Sequence, residues 1–126
     1  MKIELKQQFQ IDSARQLRGL PSGHPCARMH GHTFKIVLTL EGTLDPKIGW
    51  VRDYHEISKT MEPLIKMLDH QVLNEVPGLG NPTSEHLAIW LFERAKPLIP
   101  ELTRVTIAET PTTECSYPAS SSTNVL

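Results

Sequence analysis

Apolar and polar residues alternate near the start of the chain. Ile3, Leu5, Phe9 and Ile11 fall on one side, and Glu4, Lys6, Gln8 and Gln10 on the other. A period of two predicts a half-buried strand over residues 3–11. Residues 12–28 then show no clean period and are punctuated by Gly19, Pro21, Gly23 and Pro25. That predicts a long loop, and long ordered loops often carry function. A second strand is predicted over residues 30–41, with Phe34, Ile36, Leu38 and Leu40 on one face. Residues 42–49 read as a hairpin turn, with Trp50 and Val51 beginning a return strand. Asp53 and Glu56 have capping-box spacing. They open a helix to about residue 68 that would bury Ile57, Met61, Leu64, Ile65 and Leu68, with Pro63 expected to kink or split it. Asn81 or Thr83 is expected to cap a second helix to about residue 96, with Leu87, Trp90, Leu91 and Ala95 inward. Residues 102–110 alternate again, placing Val105, Ile107 and Glu109 on one face, and residues 114–117 suit a short last strand.

The order is strand, strand, short strand, helix, helix, strand, strand. This is an α+β pattern, an antiparallel sheet with helices on one face. Its open edges invite pairing with a neighbouring subunit. A length of 126 residues fits one domain, expected over 1–117, with a polar, disordered tail at 118–126.

Composition narrows the function. A net charge of −1 argues against a broad nucleic-acid surface but leaves room for a small anionic ligand. No apolar run could span a bilayer, and the alternating N-terminus lacks the core of a signal peptide, so a cytoplasmic location is expected. Of the two cysteines, Cys26 and Cys115, neither belongs to a Cys-x-x-Cys pair. Both are expected to be reduced, and any metal site must lean on histidine.

His30 and His32 are two apart on a strand, so both imidazoles leave one face, a geometry suited to one metal ion. An isolated His-x-His is about as often a satisfied core or surface pair. Cys26 lies just before them, near Arg28. A thiol serves as nucleophile or base when ionised, which neighbouring positive charge favours, although a free cysteine is usually a small buried hydrophobe. Cys115 takes that bland reading. Asp69 beside His70 is an arrangement that fixes an imidazole tautomer for acid–base work, or simply a histidine at a helix end. Glu109 shares the register of Val105 and Ile107, where a carboxylate needs a partner: a guanidine-like heterocycle edge, or an arginine in the core or across an interface. His24 is a reserve ligand, and His55 and His86 should be solvated.

Together, Cys26-Ala27-Arg28-Met29-His30-Gly31-His32, Leu68-Asp69-His70, Asn81-Pro82-Thr83-Ser84-Glu85 and Glu109-Thr110 resemble the 6-pyruvoyl-tetrahydropterin synthase family. The likeness is strongest to its 6-carboxy-tetrahydropterin synthase branch, of queuosine biosynthesis. Four separated motifs occur in the family's order across nearly the whole chain. The resemblance implies a tunnelling fold: a four-stranded antiparallel sheet with two helices on one face, closed into a barrel by homo-oligomerisation as a trimer or hexamer, with active sites between subunits. It implies a lyase acting on dihydroneopterin triphosphate, releasing acetaldehyde and triphosphate. Cys26 would be the proton-transferring thiol, and Asp69 and His70 a relay contributed across an interface. Glu109 would bind the pterin edge, Thr83, Ser84 and Glu85 would shape the pocket, and His30 and His32 would be two of three zinc ligands. The family's first zinc histidine lies in a pattern like Ala-Ala-His-Arg-Leu, where this chain reads Ser13-Ala14-Arg15-Gln16-Leu17. A guanidinium does not coordinate zinc, so weak zinc binding is expected. Three readings follow: a synthase with a modified metal site, a zinc-poor pterin-binding paralogue with little catalysis, and a related lyase acting on another pterin side chain.

Overall fold

The computed structural model describes residues 1–120. Strand β1 (Lys2–Arg15) and strand β2 (His30–Thr43) are followed by helix α1 (Tyr54–Leu68), helix α2 (Ser84–Ala95), strand β3 (Leu102–Thr110) and strand β4 (Thr113–Tyr117). The strands form one antiparallel sheet in the order β1-β2-β3-β4. Both helices pack on one face, and none is long and apolar enough to cross a membrane. Residues 118–120, where the expected tail begins, follow β4 without regular structure, and residues 121–126 lie outside the described residues.

Period two builds the core directly. Phe34, Ile36, Leu38 and Leu40 of β2 are fully buried, as are Val105 and Ile107 of β3. They meet Ile57, Met61 and Leu68 of α1, and Leu87, Trp90, Leu91 and Ala95 of α2. Leu64 and Ile65, also expected inside, pack half-buried at its margin. Burying a side chain of this size contributes about 1.5–3 kcal/mol, so this layer fixes the strand register.

Four local expectations change. Strand β1 does not stop at Ile11 but continues to Arg15, because Ser13 and Arg15 keep the inward register as buried polar residues. The long loop is therefore residues 16–29, with a short 3-10 turn at Pro25–Ala27. No return strand forms at Trp50 and Val51. Both edges of β2 are already paired, to β1 and β3, so a third strand has no ladder to join there. Val51 instead packs over Gly42, where an added Cβ would lie 2.7 Å from its Cγ1. Helix α1 runs unbroken through Pro63. The capping box at its start is half made: Asp53 accepts the His55 N–H at 2.9 Å, but Glu56 turns to Arg52 at 3.3 Å.

Candidate active site

The end of β1 carries two polar clusters. Strand register creates the first. Ser13 faces His32, and Arg15 faces His30, and directly opposed residues project from the same face of a sheet. Four polar side chains thus continue the inward face beyond Ile11 and Phe34.

Arg15 is 3% exposed. Burial lowers its pKa, and the nearby Cys26 and Glu85 act in the opposite sense. The guanidinium is held on three sides. Nη2 donates to the Glu109 carboxylate, Nη1 donates to the Pro82 carbonyl at 3.0 Å, and the group lies 5.1 Å from the centre of the Phe34 ring. Glu109 reaches it from a β-bulge, where the register slips between Ala108 and Thr110. Bulges re-aim side chains, often beside active sites. The carboxylate in the apolar register thus has an arginine partner, one of the two anticipated.

His32 Nε2 lies 3.9 Å from Glu109. Its ring stands 4.8 Å from the His30 ring at 87°. Burial first, then Arg15 and His30, push the His32 pKa below its ordinary value, which favours the neutral imidazole. His30 Nδ1 sits 2.7 Å from the Arg28 carbonyl. A carbonyl only accepts, so Nδ1 carries a proton, and in the neutral imidazole Nε2 is then the bare nitrogen. That Nε2 is buried without a partner, and so is Nε of Arg15.

Cys26 is half-buried in the 3-10 turn. His24 Nδ1 accepts its N–H at 3.1 Å, and the Leu17 N–H donates to its carbonyl at 3.0 Å. The reserve ligand is therefore a turn cap, and the turn is tied to the segment after β1. At the start of α2, Thr83 accepts the His86 N–H at 3.1 Å and so is the helix cap. His86 Nδ1 also lies 2.6 Å from the Asn81 carbonyl. Ser84, Glu85 and Glu109 line a groove of about 150 Å³ shared with Cys115. Burial and then Glu85 raise the Cys115 pKa, the behaviour of an inert thiol.

The second cluster lies along the outer edge of β1. Asp69 ends α1, and its carboxylate accepts the Asp12 N–H at 2.9 Å. His70 Nδ1 is 3.1 Å from that carboxylate, and the His70 N–H donates to the Asp12 carbonyl at 2.7 Å. His70 has φ 58°, a left-handed conformation more often taken by glycine after a helix. The Asp12 carboxylate in turn accepts from Thr33 at 2.5 Å. The Asp12 N–H is the main cause holding the Asp69 pKa below its ordinary value, with His70 adding to it. Asp12 escaped the sequence reading because it fell in the presumed loop. Reading Ser13 and Arg15 as inward would have placed it on the opposite face, against Thr33.

The structure therefore brings Arg15, His30, His32 and Glu109 together, with Cys26 and Glu85 in electrostatic reach of Arg15. It sets Asp69 and His70 apart. Among the described residues no hydrogen bond or ion pair links the clusters, although His32 and His70 both line a depression of about 520 Å³.

Zinc does not fit the inward cluster. Catalytic zinc sites use three protein ligands. Here the third position holds a buried cation already paired with Glu109, and like charge repels a metal. Ligand atoms of Asp12, Asp69 and His70 do lie within 4.8 Å of one another, but Asp12 and His70 are exposed and the groups are bonded among themselves and to the backbone.

Residues 4–120 match the family model described as 6-pyruvoyl tetrahydropterin synthase. A 6-carboxy-5,6,7,8-tetrahydropterin synthase from Synechocystis sp. is 33% identical over 116 residues, covering 87% of this chain and 88% of that one. A dihydroneopterin monophosphate aldolase from Pyrococcus furiosus is 38% identical over 72 residues, covering 57% of this chain and 60% of that one. In structure, the Caenorhabditis elegans 6-pyruvoyl tetrahydropterin synthase superposes with a TM-score of 0.85 at 26% identity, covering 95% of this chain and 97% of that one.

Proposed function

Since the chain belongs to the 6-pyruvoyl tetrahydropterin synthase family and has its tunnelling fold, we propose that it is a pterin lyase of the 6-carboxy-tetrahydropterin synthase type. In this reading it converts dihydroneopterin triphosphate and water to 6-carboxy-tetrahydropterin, releasing acetaldehyde and triphosphate, on the cytoplasmic route to queuosine. The observation that carries the reading is the pairing of Glu109 with Arg15 at the end of β1, with Cys26 and Glu85 in electrostatic reach of the same guanidinium. A pterin presents a guanidine-like edge that a carboxylate can hold through paired N–H donors. Glu109 and Glu85 border one groove and can supply that carboxylate. Thr83 and Ser84 shape its wall from the start of α2. Cys26 moves the proton on the substrate side chain.

Asp69 and His70 act in the site of a neighbouring subunit. Support comes from their position on the outer edge of β1, with no hydrogen bond or ion pair to the inward cluster among the described residues, and from the terminal strands β1 and β4, which a second copy can pair with. Asp69 orients the His70 ring through Nδ1, and His70 then returns a proton during turnover.

A second reading, an aldolase-type cleavage, is favoured by the likeness to the Pyrococcus furiosus aldolase. The test is incubation with dihydroneopterin triphosphate and, separately, with dihydroneopterin monophosphate, and identification of the products. Acetaldehyde with 6-carboxy-tetrahydropterin supports the synthase. A two-carbon aldehyde still carrying phosphate supports the aldolase, and no product at all contradicts both.

A further inference from the structure

We infer that Arg15 is the resident cation of this site in place of a metal ion, and that Arg15 and His30 together receive a hydroxyl group of the substrate side chain. The second half rests on the pterin-lyase reading.

Arg15 and His30 are cross-strand partners on the inward face. A buried guanidinium requires compensation, and two of its nitrogens have it, from Glu109 and Pro82. The third, Nε–H, is a buried donor without an acceptor. Its partner residue shows the complementary deficit. With the His30 Nδ1 proton directed to the Arg28 carbonyl, Nε2 of the neutral ring is a buried acceptor without a donor. Unsatisfied buried polar atoms are few in native proteins, and each calls for a partner or a catalytic role; Gln7 and Ser84 carry the others among the described residues, but only Arg15 and His30 face one another across the strands.

The two deficits select a chemical class. A hydroxyl oxygen accepts from Arg15 Nε–H while its own proton is donated to His30 Nε2. A carboxylate or fully ionised phosphate oxygen satisfies the first and is repelled by the lone pair of the second. A metal ion would suit the bare Nε2 but is opposed by the adjacent guanidinium. The pair is therefore built for an alcohol, such as the hydroxylated side chain of a neopterin. Arg15 stabilises negative charge developing on that oxygen, and His30 takes part in moving its proton.

Two measurements test this on the full chain. In the first, purified protein is equilibrated with zinc, freed of loose metal and assayed for bound metal by mass spectrometry. The wild type should retain well under one zinc per chain, and Arg15→His, which supplies a third imidazole, should retain about one. One tightly held zinc per wild-type chain overturns the resident-cation inference whatever the activity. In the second, binding of neopterin and 6-methylpterin is compared by fluorescence quenching. The wild type should prefer neopterin by about tenfold or more, since the analogue leaves both buried groups unpaired, and Arg15→Met should erase the preference. Equal binding of the two pterins by the wild type overturns the hydroxyl assignment. Binding of neither removes the pterin-lyase reading and the hydroxyl assignment with it, while the zinc result still decides the role of Arg15.

Discussion

The two polar clusters at the end of β1 differ in almost every physical respect. The inward one surrounds a guanidinium that is 3% exposed, braced by Glu109, Pro82 and Phe34. The outward one is solvated, with the His70 side chain 77% exposed, and is organised by the backbone of Asp12. Strand alternation separates them, since Asp12 lies in the register opposite to Ser13 and Arg15. The difference fits the tasks proposed for them. A cluster built around a buried guanidinium suits binding and charge stabilisation. An exposed imidazole held on a fixed backbone suits proton exchange with a molecule arriving from outside, including one seated in a neighbouring subunit.

If that contrast is real, removing a partner inside should matter far more to folding than removing one outside. Arg15→Met leaves the Glu109 carboxylate half-buried and unpaired, and is expected to lower stability by about 3 kcal/mol in denaturant unfolding. A loss no larger than that of Asp12→Asn would show the inner pair to be unimportant for folding. Ser13→Ala, which removes the buried bond to the Leu68 carbonyl, should cost about 1 kcal/mol. Thr83→Ala, which removes the α2 cap, should cost a similar or slightly smaller amount, and urea titration of each variant separates these from no effect.

The smallest effect belongs to the outer cluster and depends on pH. The Asp69 carboxyl titrates below its ordinary value in the folded state, chiefly through the Asp12 N–H. Its contribution to stability is therefore complete above the ordinary carboxylate value of about 4 and is lost as pH falls through the lower folded value. Asp69→Asn should be slightly less stable than the wild type at neutral pH, with the gap closing under acid. A gap unchanged down to pH of about 2 would mean that the carboxylate charge is not what the clamp uses.

The sequence made the apolar half of this architecture legible and hid the polar half. Alternation from Phe34 to Leu40 and the helical spacing of Ile57, Met61 and Leu68 report burial directly, because their residue types match their environments. Ser13 and Arg15 occupy the same inward register but carry polar groups, so a hydrophobic pattern ends four residues before the strand does. Their burial depends on partners remote in sequence: Leu68 for Ser13, Pro82 and Glu109 for Arg15. The inward register of Glu109 was readable, and an arginine partner was one of its two anticipated solutions. The identity of that arginine was not readable, because it required the strand pairing and the bulge at Glu109. The return strand at Trp50 failed for a related reason, since local pattern cannot show that both edges of β2 are already taken.

If the two clusters of one chain serve two different sites, each completed by a neighbour, chains defective in one cluster should rescue chains defective in the other. Complementation tests this most directly. Cys26→Ala and His70→Ala chains, each inactive alone, are mixed, unfolded and refolded together, and mixed oligomers are verified by native mass spectrometry. The account predicts that lyase activity on dihydroneopterin triphosphate returns in the mixture, because some interfaces then carry an intact thiol from one chain and an intact His70 from another. Mixed oligomers that remain as inactive as their parents would contradict it.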